Sequence, residues 1–263
     1  MALTGKSPSD TYKDLLEIDN SNSGVDNTVR DIKTGNGAST SLKVSDRSCI
    51  VSSSTDNTGA FYVQDSSDSI KFQVDTTNDQ VKALGTHVNT QYAYFGVGSS
   101  DTTAFASGTH TALPFNSMSI GSSFVQDDIK FGTGTDPATS FTTADGTNTD
   151  ASLLAPVMWY IPDNIAIDSV YSIEGATTAT GDTTRMHLFS YDFTSGSTSA
   201  LTNGTLLAHN DDVTNAGSEQ AYLSTWTVDS SAVSSGKVIL AFFRCDSTNS
   251  DYSINITIKY HLT

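Results

Sequence analysis

The chain has 263 residues and a net charge of −16, from 13 Lys and Arg against 29 Asp and Glu. Of the acids, 26 are Asp and three are Glu, while Ser (38) and Thr (37) make up more than a quarter of the chain. Strong helix formers are scarce and turn formers abundant, which argues against a helical or doubly wound α/β enzyme; the lack of clustered Lys and Arg argues against a nucleic-acid partner.

Leu, Ile, Val and Phe total 57 of 263, just above the roughly 20% below which a highly charged chain stays unfolded. The aromatic residues, 9% of the chain, tip the balance toward folding. So thin a core over this length implies a chain that buries part of its apolar surface against copies of itself. Cys49 and Cys245 fit no metal or redox spacing and read as buried or incidental thiols. The N-terminus MALTGKSPSD has no apolar stretch and no run of about 18 apolar residues occurs, so the expectation is a protein made in a cytosol without membrane insertion.

In chain order, Ser9 or Asp10 is placed to cap a short helix over residues 9–18, with Tyr12, Leu15, Leu16 and Ile18 on one side. A turn-rich stretch follows, carrying isolated apolar residues at Val25, Val29 and Ile32, and reads as a linker if free or as an irregular anchor within an assembly. From residue 42 the pattern becomes short strands with polar turns: Leu42 and Val44, Ile50, then Phe61–Val63, Ile70–Val74 and Val81–Leu84. Period-2 alternation in Ile70, Phe72 and Val74 and the Asp-rich links 65–68 and 75–79 predict hairpins. No helix is at hand to cover their apolar side, so Phe61, Val63, Ile70, Phe72, Val74 and Val81 are expected to form a core between chains.

Three strings carry a resemblance: SPSDTYKDLLEIDNSNSGVDNTVRDIKTGNG, FYVQDSSDSIKFQVDTTNDQVKALG and HVNTQYAYFGV. Together they resemble the amino-terminal region of fibre-like virion proteins of marine tailed bacteriophages. The unit FxVDxxNDxVK, Phe72 to Lys82, is similar to repeats of trimeric phage fibre shafts, and SDYSINITIKYHL looks like their closing strand. The resemblance implies a homotrimer on the virion, made in the host cytoplasm, with residues 1–48 as an anchor on a capsid or tail protein and 49–90 as a short β shaft.

Residues 91–263 read as a jelly-roll-like β-sandwich, completing an all-β chain. Its predicted strands are 111–120, 153–161, 165–173, 185–193, 205–208, 221–228, 237–243 and 253–262, with a helical turn at 230–235 and a surface excursion over 121–150. Tyr92, Tyr94 and Phe95 are assigned to the junction of shaft and sandwich.

Sites are few. His209-Asn210-Asp211-Asp212 reads as a loop, since no further ligands converge by spacing. Asp145 to Asp150 alternates oxygen donors but lacks the bidentate acid that closes a Ca²⁺ loop, and is not assigned as a metal site. Acid pairs such as Asp127-Asp128 nominate no glycosidase. No catalytic fingerprint occurs, so no enzyme activity and no cofactor are expected. Trp226 and Tyr222, with Trp159 and Tyr160, are the candidates for a shelf binding a host surface glycan, against a competing place in the core. A fibre or appendage leads; a capsid decoration protein and a glycan-binding tip are the alternatives.

Overall fold

The computed structural model describes residues 15–21, 23–98, 105, 107–116, 130–141, 154–197, 200–246 and 251–263. They are almost wholly β, with antiparallel pairing throughout and a single 3-10 turn at Ala155–Val157. Among the described residues no helix is long and apolar enough to cross a membrane. The chain divides into two compact units, Met1–Val88 and Asn89–Thr263.

The first unit holds two four-stranded meanders. β1 (Leu16–Ile18), β2 (Arg30–Thr34), β3 (Ser39–Val44) and β4 (Cys49–Val51) form one sheet; β5 (Phe61–Gln64), β6 (Ile70–Asp75), β7 (Gln80–Ala83) and β8 (Thr86–His87) form the other. Of the helix expected over residues 9–18, residues 9–14 lie outside the described residues, and its described end is strand: Leu16, Glu17 and Ile18 pair with Thr34, Lys33 and Ile32. Ten residues cannot sustain a helix alone, and pairing with β2 wins. The turn-rich stretch thus holds β2 and the start of β3, while its described residues between Asp19 and Val29 stay outside any strand, and it is laced at its surface by Lys33–Asp19, Arg30–Asp26 and Lys43–Asp31 ion pairs. Such exposed pairs add little stability.

The second unit is a two-sheet sandwich. One sheet runs β16 (Gln220–Thr225), β12 (Ile165–Thr177), β20 (Asp251–Leu262), β9 (Thr90–Val97), with β18 (Ala232–Val233) also on β12. The other runs β10 (Thr111–Ala112), β19 (Lys237–Cys245), β13 (Thr183–Phe193), β14 (Leu201–His209), β17 (Thr227–Val228), with β11 (Trp159–Tyr160) on β19 and β15 (Val213–Thr214) on β13. Alternation decides what lies between them: Ile254, Ile256 and Ile258 point inward against Met186, Leu188, Ile239, Ala241 and Phe243, each fully buried Leu or Ile contributing about 1.5–3 kcal/mol.

β19 is apolar on both faces because its sheet has a second core. Val238, Leu240 and Phe242, with Phe189 and Tyr191 of β13, pack outward against Phe131, Phe141, Leu154 and Val157. The expected surface excursion is therefore, in its described part, a covering layer. Phe131 stacks on Phe141 with centroids 4.2 Å apart, the Tyr191 hydroxyl donates to the Ala138 carbonyl at 2.7 Å, and any Cβ on Gly204 would meet Thr139 Cα at 2.8 Å. Two other expectations change. Residues 232–233 are strand, paired to β12, with Gly236 at φ +85° as a turn residue, and Tyr92–Phe95 belong to an edge strand hydrogen-bonded to β20.

Candidate functional site

The sheet β5–β8 is the most informative surface of the first unit. Phe61 lies opposite Val74 and Val63 opposite Phe72; Val74 in turn lies opposite Val81 and Phe72 opposite Ala83. Two cross-strand apolar rows thus run across three strands on one face, and Phe61 meets Phe72 edge-on at 6.3 Å. The other face carries Tyr62, Gln73 and Lys82 in register. Phe61 and Val63 are exposed, Val63 to 47%, and Phe72, Val74 and Val81 are half-buried. Ile70 departs from the expected pattern. A bulge between Val63 and Gln64 sets it opposite Gln64, and a one-residue slip interrupts the alternation read through Ile70, Phe72 and Val74.

Among the described residues of this unit the face stays partly open: Phe61 and Val63 are exposed, and Val51 and Ala60 flank its Phe61–Val74 end. Among its described residues Ile32, at 9% exposure, is the one apolar side chain that counts as buried. A groove of about 430 Å³, walled by Val51, Ala60, Phe61 and Val74, continues the apolar surface.

The turns around the sheet explain how it stays regular without a core. Asp75 Oδ1 accepts the amide N–H groups of Thr77 and Asn78, and Oδ2 accepts the Asn78 side-chain amide. Asp65 Oδ1 likewise accepts from Ser67 and Ser69. These Asx turns fix strand register locally. Lys71 beside Asp65, helped by those amide donors, holds its carboxyl below the usual range, and the Asn78 side chain does the same for Asp75. The link from β7 to β8 is a two-residue turn, Leu84-Gly85, with φ +51° and +78°. Leu84 sits there against its backbone preference and is 75% exposed.

The remaining sequence-nominated residues fall elsewhere. Trp226 is core, its indole Nε1 donating to Ser172 Oγ at 2.9 Å, so it offers no ring to a glycan. Trp159 is buried too, stacked on Phe115. Tyr222 is half-buried, its hydroxyl on Gln220 Oε1. The run 209–212 does not converge: His209 Nδ1 meets Asp229 at 2.7 Å, Asn210 Oδ1 accepts the Met186 amide, and Asp212 pairs with Arg185. Asp145–Asp150 and Asp127-Asp128 lie outside the described residues.

Two buried polar clusters escaped the sequence reading, because each is assembled from residues far apart in the chain. His110 and His187 lie with ring centroids 5.0 Å apart. His110 Nε2 donates to the Gly134 and Thr135 carbonyls at 3.1 Å, and His187 Nε2 sits 3.3 Å from Asp136. Burial, with His110, His209, Arg185 and Arg244 nearby, pushes the His187 pKa down to about 3 and keeps the ring neutral. The second cluster lies inside the sandwich. Glu174, fully buried, has both carboxyl oxygens 3.0 Å from Thr184 Oγ1. Burial, with Asp182 close by, pushes its pKa up to about 7 against the pull of Thr184. Tyr252 donates to Asp182 Oδ2 at 2.6 Å and receives Asn215 Nδ2 at 3.3 Å. Both clusters tie strands together.

No protein-family model matches the chain, and no curated protein matches it.

Proposed function

We propose that the chain is a non-enzymatic structural protein of a tailed-phage particle, an oligomeric fibre-like appendage whose N-terminal unit receives its missing core from neighbouring copies. The observation that carries this reading is the partly open apolar face of β5–β7 in a unit with a single buried apolar side chain among its described residues. A two-layer rule applies: a one-sided sheet needs a second layer, and a second copy supplies an identical face at no cost in new sequence. The resemblance of residues 7–97 to phage fibre proteins supplies the particle, the mounting through the N-terminal stretch and the trimer.

The test is the mass of the purified chain in solution. The intact protein should sediment at three times 27.8 kDa, and Phe72→Asp, which plants a charge in the middle of the face, should give monomer. A Phe72→Asp protein of unchanged mass removes the shared core. A density map of whole particles separates a tail appendage from a shell decoration by where the chain sits.

A further inference from the structure

A second open surface lies on the outward face of the β16-β12-β20-β9 sheet. Register builds it row by row: Leu223 beside Ile173 beside Asn255, then Thr225 beside Tyr171 beside Thr257 beside Tyr94, then Lys259 beside Tyr92. The alternate residues Ser172, Glu174, Ile256, Ile258 and Phe95 point inward and are buried. Leu223 is 74% exposed and Ile173 55%, and Tyr171, Tyr94 and Tyr92 are exposed as well.

Charge singles this face out. The chain carries −16, yet the rows of Leu223 and of Thr225 to Tyr94 hold no charged side chain, and in the row of Tyr92 Lys259 faces the β12 bulge at Asp168 and Ser169. Acids begin at the rim, with Asp168, Glu219 and Asp251. The edge strand β16, QAYLST, has no charge, proline or bulge to discourage a neighbour.

We infer that this face is an interface between copies of the chain, packing one C-terminal unit against another. Two molecules of the same strong negative charge can approach closely only where no carboxylate must be desolvated against another, and tyrosine enrichment with charge depletion is the composition of an interface centre. A glycan would use flat aromatic rings; here the two most exposed side chains are aliphatic, which favours a protein surface. Five large side chains exposing about 100 Å² each supply more than half of the about 800 Å² per partner of a stable interface. The face is therefore too small to hold copies together at low concentration by itself. It acts through the covalent link to the first unit, whose association, on the reading proposed above, raises the local concentration of the second.

Sedimentation velocity on the full chain over a wide concentration series tests this, comparing wild type, Phe72→Asp and the double variant Ile173→Asp/Leu223→Asp, with near-ultraviolet circular dichroism to verify folding. Both positions of the double variant are exposed, so the sandwich core is untouched. The inference expects the double variant to raise the midpoint concentration of association at least tenfold. If Phe72→Asp dissociates the chain and the double variant leaves the midpoint unmoved, the second face is no interface, and the inference falls while the proposed function stands. If the double variant shifts the midpoint and Phe72→Asp does not, the shared N-terminal core falls while this interface stands, its own strength and not the first unit's association then holding the copies together. A wild type that is monomeric throughout overturns both, and a soluble glycan that protects Tyr92 and Tyr94 from iodination in a monomer would mark the face as a ligand platform instead.

Discussion

Replacing Glu174 with glutamine should change how the stability of the sandwich depends on pH. The carboxyl is fully buried, and the single Thr184 hydroxyl proton can serve only one of its two oxygens at a time. In the unfolded chain it titrates near 4.5, in the fold near 7. Between those values the folded state holds a proton that the unfolded state has released, so stability is full below about pH 4.5 and is lost as pH rises through 7. Each pH step across the window costs about 1.4 kcal/mol, which gives a total of about 3 kcal/mol. Glutamine carries no charge at any pH, but its amide brings two N–H donors where the protonated acid brings one O–H, and Thr184 Oγ1 can accept only one of them, a penalty of about 1–2 kcal/mol. The variant should thus be less stable than wild type at pH 4.5, more stable at pH 8, and the two curves should cross between about pH 5 and 6, where the wild type has lost about 1–2 kcal/mol. Urea unfolding followed by tryptophan fluorescence, at half-unit steps from pH 4.5 to 8.5, measures the difference directly, and titrations common to both proteins cancel. Parallel curves over that range would refute the argument.

Two further outcomes follow from the described geometry. His187 is neutral in the fold down to about pH 3 whereas an unfolded histidine protonates near 6.5, so stability present above 6.5 should fall steadily on acidification. Glutamine at that position should flatten this part of the unfolding-versus-pH curve. Leu84→Asn should raise the melting temperature of the N-terminal sheet, read by calorimetry, because Asn-Gly suits a turn with two positive φ values and relieves a left-handed leucine worth about 1 kcal/mol.

Much of the sandwich was legible because its strands obey simple alternation. Residues 253–262, 165–173 and 237–243 read correctly as strands, since each pattern is local. What the sequence concealed depends on partners distant in the chain. Leu16–Ile18 has helical spacing but is strand because β2 is there to pair with it. Phe131 and Phe141 sit in a Gly, Thr and Asp context that suggests solvent, yet they are buried because β13 and β19 present a second apolar face. Ser230–Val233 has a capping residue and a closing glycine, the marks of a helical turn, but Ile165 and Ala166 hold Val233 and Ala232 in the sheet. On the candidate face, the rows of Phe61, Val63, Phe72, Val74 and Val81 were readable from period two, while the bulge that displaces Ile70 leaves no signal in the residue types.

The two thiols give the molecule a chemical asymmetry. Cys49 is exposed on β4 and Cys245 is enclosed in the sandwich, so under native conditions a maleimide dye or a heavy-atom reagent should attach once per chain, in the N-terminal unit alone. A fluorophore at that position would report by energy transfer on mixing between differently labelled copies. The enclosed thiol, reacting only as the sandwich opens, would serve as an internal clock for its unfolding.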